Sequence, residues 1–236
     1  MKQLIKASFL MIIIAGLFSV NASAQSMKEK EPATVEAAFK AILSGYVNDK
    51  TLINSLWTEI DTSYTGKNRY YHTLAHLDNF YTQLLKCRSS VSDWETAVLA
   101  MVYHDVVYGS ADHRDEERSA DLAVQRLQAT TFPAAKIEKC KQLILATKSH
   151  AATEDQDTNL FNDADMSILG LAPEVYREYV TNVGLEYAQY PNFKEGRKKV
   201  LAYFLKMPRI LKTDFFHNLY EEQARKNIAW EISTLP

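Results

Sequence analysis

"RYYHTLAHLDNF", residues 69–80, sets two of the chain's six histidines four positions apart, with an arginine and two tyrosines just before them. Residues four apart stand one above the other on a helix. The stretch therefore reads as part of a helix from about Tyr70 to Lys86, with His72 and His76 on adjacent turns of one face. Such a pair is either structural, bonded to neighbouring carbonyls in a core, or part of a metal or phosphate site.

Helical spacing continues on both sides. Val35, Phe39, Ile42, Leu43 and Tyr46 recur at helical intervals, and Leu52, Ile53, Leu56, Trp57 and Ile60 resume the pattern after a break near Asn48. "SYTGKN" reads as a turn. Ser92 and Glu95 have the spacing of a capping box ahead of "WETAVLAMVYHDVVY", residues 94–108. Further helices are expected in "EERSADLAVQRLQAT", after Pro133, in "LFNDADMSILG" up to Gly170, and from Pro173 to about Tyr190. Two more cover "FKEGRKKVLAYFLKM" and "DFFHNLYEEQARKNIAWEI". With no repeat and no long interior linker, the pattern predicts an all-α fold with a single helical domain over residues 33–236.

The first residues stand apart. Lys2 and Lys6 precede the apolar run "ASFLMIIIAGLFSV", and Ala22 and Ala24 fit a small-x-small cleavage site. We expect a signal peptide over residues 1–24, cleaved after Ala24, and a polar linker over 25–32. An uncleaved anchor is the alternative, although the run is short of the roughly twenty apolar residues of a membrane span. Export puts the chain in the periplasm or outside the cell, with no stable membrane anchor after cleavage.

The 27 basic and 29 acidic residues give a net charge of −2; without Lys2 and Lys6 the balance is 25 to 29, or −4. Such a chain has no general attraction for nucleic acid or anionic lipid, so an anionic ligand needs a local site. Cys87 and Cys140 lack metal-type spacing. They either pair in an oxidising compartment or stay as buried thiols.

Chemistry gathers in two further stretches. "VYHDVVY", residues 102–108, places His104 and Asp105 side by side in an otherwise apolar segment. Burying that pair is costly unless something compensates, and a cation compensates best. The plain alternative is a paired core acid beside a packed imidazole. "FNDADMSILG", residues 161–170, offers Asp163 and Asp165, which point to different sides of a helix. At most one of them joins a given ion, and both otherwise read as a solvated rim. Paired histidines, a His-Asp doublet and a late aspartate, each on its own helix, suit a divalent transition metal with open positions for water.

In this order the motifs resemble the HD-domain metal-dependent phosphohydrolases. "YHTLAH", residues 71–76, is similar to the histidine segment of cyclic-nucleotide phosphodiesterases, and "ADMS", residues 164–167, to the segment around their last metal aspartate. Bacterial HD members also share the "EERSA" and "DADMSILG" stretches, and the resemblance spans about residues 33–232. It implies an HD-type helical bundle in which His76, His104, Asp105 and Asp165 hold one or two ions of Mn, Fe, Ni, Zn or Mg. It further implies that His72 protonates the leaving oxygen. Arg69 is a candidate phosphate clamp, with a surface arginine as the alternative. An acid after the doublet, Glu117 among Glu116, Glu117 and Asp121, is a candidate for orienting water, with surface pairing to Arg114 or Arg118 as the alternative. His150 follows Lys148 at a helix end. It reads either as a ligand for substrate or a second ion, or as a helix-terminal histidine. His113 and His217 read as surface residues. The tyrosine-rich "YREYVTNVGLEYAQYPNFKEGRKKV" reads as core or as a pocket wall.

The expected function is hydrolysis of a small phosphomonoester or phosphodiester, with nucleotides among the candidates and no nucleic-acid polymer as partner. HD-fold oxygenases with two irons and a non-catalytic metal-binding protein are the alternatives.

Overall fold

Every residue of Trp94–Tyr103 except Glu95 is buried, which is what a helix apolar on all sides requires. Several other helices pack around it. A computed structural model describes residues 31–110 and 113–236. Among the described residues ten helices follow in order: α1 Val35–Ser44, α2 Lys50–Tyr64, α3 Leu74–Lys86, α4 Trp94–Tyr103, α5 Asp115–Leu127, α6 Ala134–Ala146, α7 Gln156–Met166, α8 Pro173–Glu186, α9 Phe193–Lys206 and α10 Asp214–Thr234. Short 3-10 turns cover Arg88–Ser90 and Ser167–Gly170. No strand occurs among the described residues, so the fold is all-α as expected. Residues 32–236 make one compact unit. The leader expected over residues 1–24, and linker residues 25–30, lie outside the described residues. Among the described residues no helix is long and apolar enough to cross a membrane.

Helix α4 packs against α1, α3, α5, α6 and α7, while α10 lies across α7, α8, α9 and the second 3-10 turn. Phe39, Ile60, Phe80, Leu99, Phe161 and Phe216 are wholly buried between these layers. Burying side chains of this size contributes roughly 1.5–3 kcal/mol each. Side-chain caps start several helices: Thr34 for α1, Asp49 for α2, Asp155 for α7 and Thr213 for α10. The cap of α4 corrects the sequence reading. Asp93, not Ser92, receives the Thr96 amide. Glu95 turns away to accept the Tyr46 hydroxyl at 2.6 Å and Lys136 at 2.8 Å.

Two expected helix boundaries also move, and both moves shape the site. Helix α3 begins at Leu74 instead of Tyr70, and Thr73 before it is extended. The amides of Tyr70, Tyr71 and His72 all donate to Glu186 Oε1 at 2.8, 2.8 and 2.9 Å, so the chain bends around that one oxygen. Helix α4 stops at Tyr103, with His104 as its C-cap. Beyond it the backbone is claimed by other elements. Asp105 N–H donates to the Tyr64 hydroxyl at 3.2 Å and Val107 N–H to Ser119 Oγ at 3.0 Å. Cys87 and Cys140 are both free and buried, and burial raises the Cys87 thiol to about 12.

Candidate metal centre

His76 lies in the first turn of α3, His104 and Asp105 at the end of α4, and Asp165 in the last turn of α7. His76 and His104 are buried, and the Asp105 and Asp165 carboxylates are 19% and 13% exposed at the mouth of a pocket of about 270 Å³. Their donor atoms converge. His76 Nε2 is 3.1 Å from His104 Nε2, 3.3 Å from Asp165 Oδ1 and 3.8 Å from Asp105 Oδ2. His104 Nε2 is 2.9 Å from Asp105 Oδ2 and 3.8 Å from Asp165 Oδ1. Donors about 2.1 Å from a shared tetrahedral ion stand about 3.4 Å apart, and these spacings bracket that value. The donor atoms of His76, His104 and Asp165 all lie within 4.8 Å of one another, a group that could hold a metal ion, with Asp105 beside it on His104.

The supports of the two imidazoles differ. His104 Nδ1–H donates to Met101 O at 2.7 Å, which leaves Nε2 for the cluster. His76 Nδ1 is buried without a partner, so that ring is oriented by packing against Tyr71 and Phe80, with ring centres 5.0 and 6.2 Å away.

Burial pushes His76 down to about 4, and Asp165 only partly opposes it. Burial acts on His104 in the same sense, but the Asp105 carboxylate outweighs it and the imidazole rises to about 9. Asp105 is raised by burial, yet the charge of His104 overcomes this and holds it well below the usual carboxylate range. Asp165, likewise raised by burial, is brought down to about 2 by its bond to His150 and by His104 and His76. At neutral pH these four side chains thus hold one imidazolium, one neutral imidazole and two carboxylates. That net negative hollow suits a dication.

His72 stands at the edge of this set, before α3 and not on it, with Nε2 3.8 Å from Asp105 Oδ2. Its other nitrogen meets Glu186. Nδ1 is 2.7 Å from Glu186 Oε2, which also accepts the Tyr108 hydroxyl at 3.0 Å. Burial raises Glu186, but the His72 ring and the Tyr70 and His72 amides outweigh it and bring it down to about 2. An ionised carboxylate can only accept, so Nδ1 carries the proton and Nε2 faces the donor set.

For three residues with open readings the structure gives the contacts. Arg69 is not free to clamp a phosphate. Its Nη1 donates to His72 O at 3.0 Å, and its Nη2 to Asp105 O at 2.7 Å and Val106 O at 3.0 Å. Sandwiched between the Tyr64 and Tyr108 rings, it ties the backbone of His72 to that of Asp105. Glu117 lies apart, bonded to Lys148 at 2.5 Å, while its neighbour Glu116 lines the pocket. His150 reaches the site through Asp165 rather than as a free group, with Nε2 2.8 Å from Oδ2, and it adopts φ 48°. A left-handed histidine costs energy and is a recurrent feature of functional sites.

Asp163, read with Asp165 as a solvated acid, is wholly buried. It accepts the amides of Lys212 and Thr213 at 2.8 and 2.7 Å and the Thr213 hydroxyl at 2.7 Å, which secures the start of α10. Glu186 was missed as a site residue. The trace of it in the sequence is an acid inside the tyrosine-rich stretch, between Val183 and Tyr187, which line a second hollow next to the first. That stretch is both core and wall, since Tyr176 is wholly buried whereas Tyr179 and Tyr187 face the pocket.

No family model matches this chain, and no curated protein or solved structure is significantly similar to it.

Proposed function

We propose that the chain is a metal-dependent phosphoester hydrolase of the HD type. The observation that carries this reading is the Glu186–His72 pair beside the donor set of two histidines and two aspartates. His76, His104, Asp105 and Asp165 would hold a divalent ion, for which Mn, Fe, Ni, Zn and Mg are the candidates. When bound, the ion supplies a Lewis acid for a phosphoryl oxygen and an acidified water.

The chain's own groups supply the rest. Glu186 holds Nδ1–H of His72, so a proton on Nε2 is the one available to a departing oxygen as its bond to phosphorus breaks. The Tyr71 and Tyr108 rings flank His72 at 4.9 and 4.5 Å and shield it from bulk water. Asp165 is steadied by His150 and the His72 backbone by Arg69. The substrate is a small phosphomonoester or phosphodiester, nucleotides included.

The test pairs metal content with phosphate release. Wild-type protein purified without chelator is expected to hold about one ion per chain, and His104→Ala with Asp105→Ala to hold none. His72→Ala is expected to keep the ion and lose about 10²–10⁴-fold in kcat. A folded wild-type protein that takes up no metal would sink the reading. Bound metal with no release from any ester would leave a metal-binding protein.

One observation favours a second reading, a two-iron oxygenase. His150 on Asp165 places another imidazole beside the donor set. Two irons per chain would put that reading first.

A further inference from the structure

We infer that the leaving alcohol is neutral with an apolar or aromatic body, and that it lodges in a slot between α8 and α9. This inference rests on the hydrolase reading above and deepens it. A hollow of about 610 Å³ adjoins the metal pocket, and the two share His72, Tyr179, Tyr187, Arg197 and Val200. The residue assigned to protonate the leaving oxygen thus stands where the hollows meet. What departs from phosphorus on that side enters the slot.

The walls set what fits there. Beyond His72 the slot is lined by Val183, Tyr187, Tyr190, Pro191 and Phe193, with Tyr187 and Phe193 stacked 4.8 Å apart at 12°. Sites of this kind bind apolar bodies and fix them with few polar groups. Charge decides against a second anion. Among the described residues Arg197 is the one lysine or arginine lining either hollow. Its charge is committed, because Nε donates to Glu231 Oε1 at 2.8 Å and Nη2 to Glu231 Oε2 at 3.1 Å and the Tyr179 hydroxyl at 2.9 Å. Arg69 is bonded to three carbonyls. A second phosphate on the leaving side would be desolvated with no counter-charge, which is strongly unfavourable. The site therefore takes one phosphate and rejects bisphosphates.

Gly196 gives a direct handle. It lines the slot within α9, and a Cβ built on it meets no atom within 4 Å, so a side chain can leave the helix there without a clash at its first atom. The experiment titrates the protein with 1-naphthol by fluorescence. It also compares manganese-dependent phosphate release from 1-naphthyl phosphate, glycerol 3-phosphate and fructose 1,6-bisphosphate. Saturable naphthol binding is expected, weakened at least about tenfold by Gly196→Leu and by Phe193→Ala, with the thermal midpoint of Gly196→Leu at or above wild type. The values of kcat/KM are expected to fall about tenfold or more at each step from the naphthyl ester to the bisphosphate. Naphthol binding that is absent, or unchanged in both variants, overturns the inference. So does a preference for the bisphosphate or glycerol ester. Failure to release phosphate from any ester overturns the hydrolase reading alone, because the naphthol titration still reports on the slot.

Discussion

His104 donates Nδ1–H to Met101 O and faces Asp105 Oδ2 across 2.9 Å, and its imidazole is raised to about 9. An ion entering the donor set has to displace the proton on Nε2 of that imidazolium. Metal affinity is therefore expected to rise about tenfold per pH unit below about pH 9, with about one proton released per ion. Calorimetric titrations in buffers of different ionisation heat read this directly, and a flat profile between pH 6 and 8 would remove His104 from the ligand set. Glu186 gives a second pH signature of opposite origin. Its folded value, about 2, lies below the ordinary 4.5, so its stabilisation is full above about pH 4.5 and fades as pH falls toward 2. At 1.36 kcal/mol per unit this amounts to about 3 kcal/mol. Glu186→Gln is expected to lose that part of the acid dependence in urea melts at pH 3 and pH 6. Its kcat is expected to fall about 10²-fold with metal content unchanged, since an amide, able to donate as well as accept, no longer holds Nδ1–H of His72 so that Nε2 faces the leaving oxygen.

At the level of elements, two glycines make opposite demands. A Cβ at Gly170 would lie 2.6 Å from Tyr220 O and 2.9 Å from Tyr220 Cα, so the second 3-10 turn approaches α10 this closely only as glycine. Asn227 fastens the same turn by donating to Leu169 O and Leu171 O at 2.9 Å each. Gly170→Ala is expected to force the turn away from α10, at a cost of about 1–3 kcal/mol in chemical denaturation. Gly196 lies inside α9 with nothing within 4 Å of its added Cβ. There Gly196→Ala is expected to stabilise by about 0.5–1 kcal/mol, because alanine orders into a helix at less entropic cost. A Gly170→Ala midpoint at or above that of wild type would mean that the close approach of the 3-10 turn to α10 is wrong. The starts of α3 and the end of α4 belong to this scale too. Both were expected to run further, and both stop where backbone groups bond to side chains of distant elements.

For the whole molecule, the four proposed ligands come from α3, the end of α4 and α7, and His72 and Glu186 bring in α8. An ion bound only by the folded chain stabilises it by mass action, by about 2.7 kcal/mol at a hundredfold excess over Kd. Thermal midpoints are expected to rise with added metal and fall with chelator in wild type, and to ignore both in the His104→Ala, Asp105→Ala protein. What could be read from the chain alone follows from this geometry. Helix type and order were legible because a 3.6-residue period and end-capping are properties of consecutive residues. His104 and Asp105 stood out because an imidazole and an acid inside an apolar segment need compensation whatever surrounds them, whereas the choice of His76 over His72 and of Asp165 over Asp163 came from the family resemblance alone. Glu186 lies 114 residues from His72, and neither the capture of Glu117 by Lys148 nor the three carbonyls on Arg69 leaves a mark in local pattern. Hydrogen bonds act across about 3 Å of space and are indifferent to separation along the chain. Composition and periodicity thus determined which helices form and which side chains are costly to bury, and only their packing decided which acid holds which histidine.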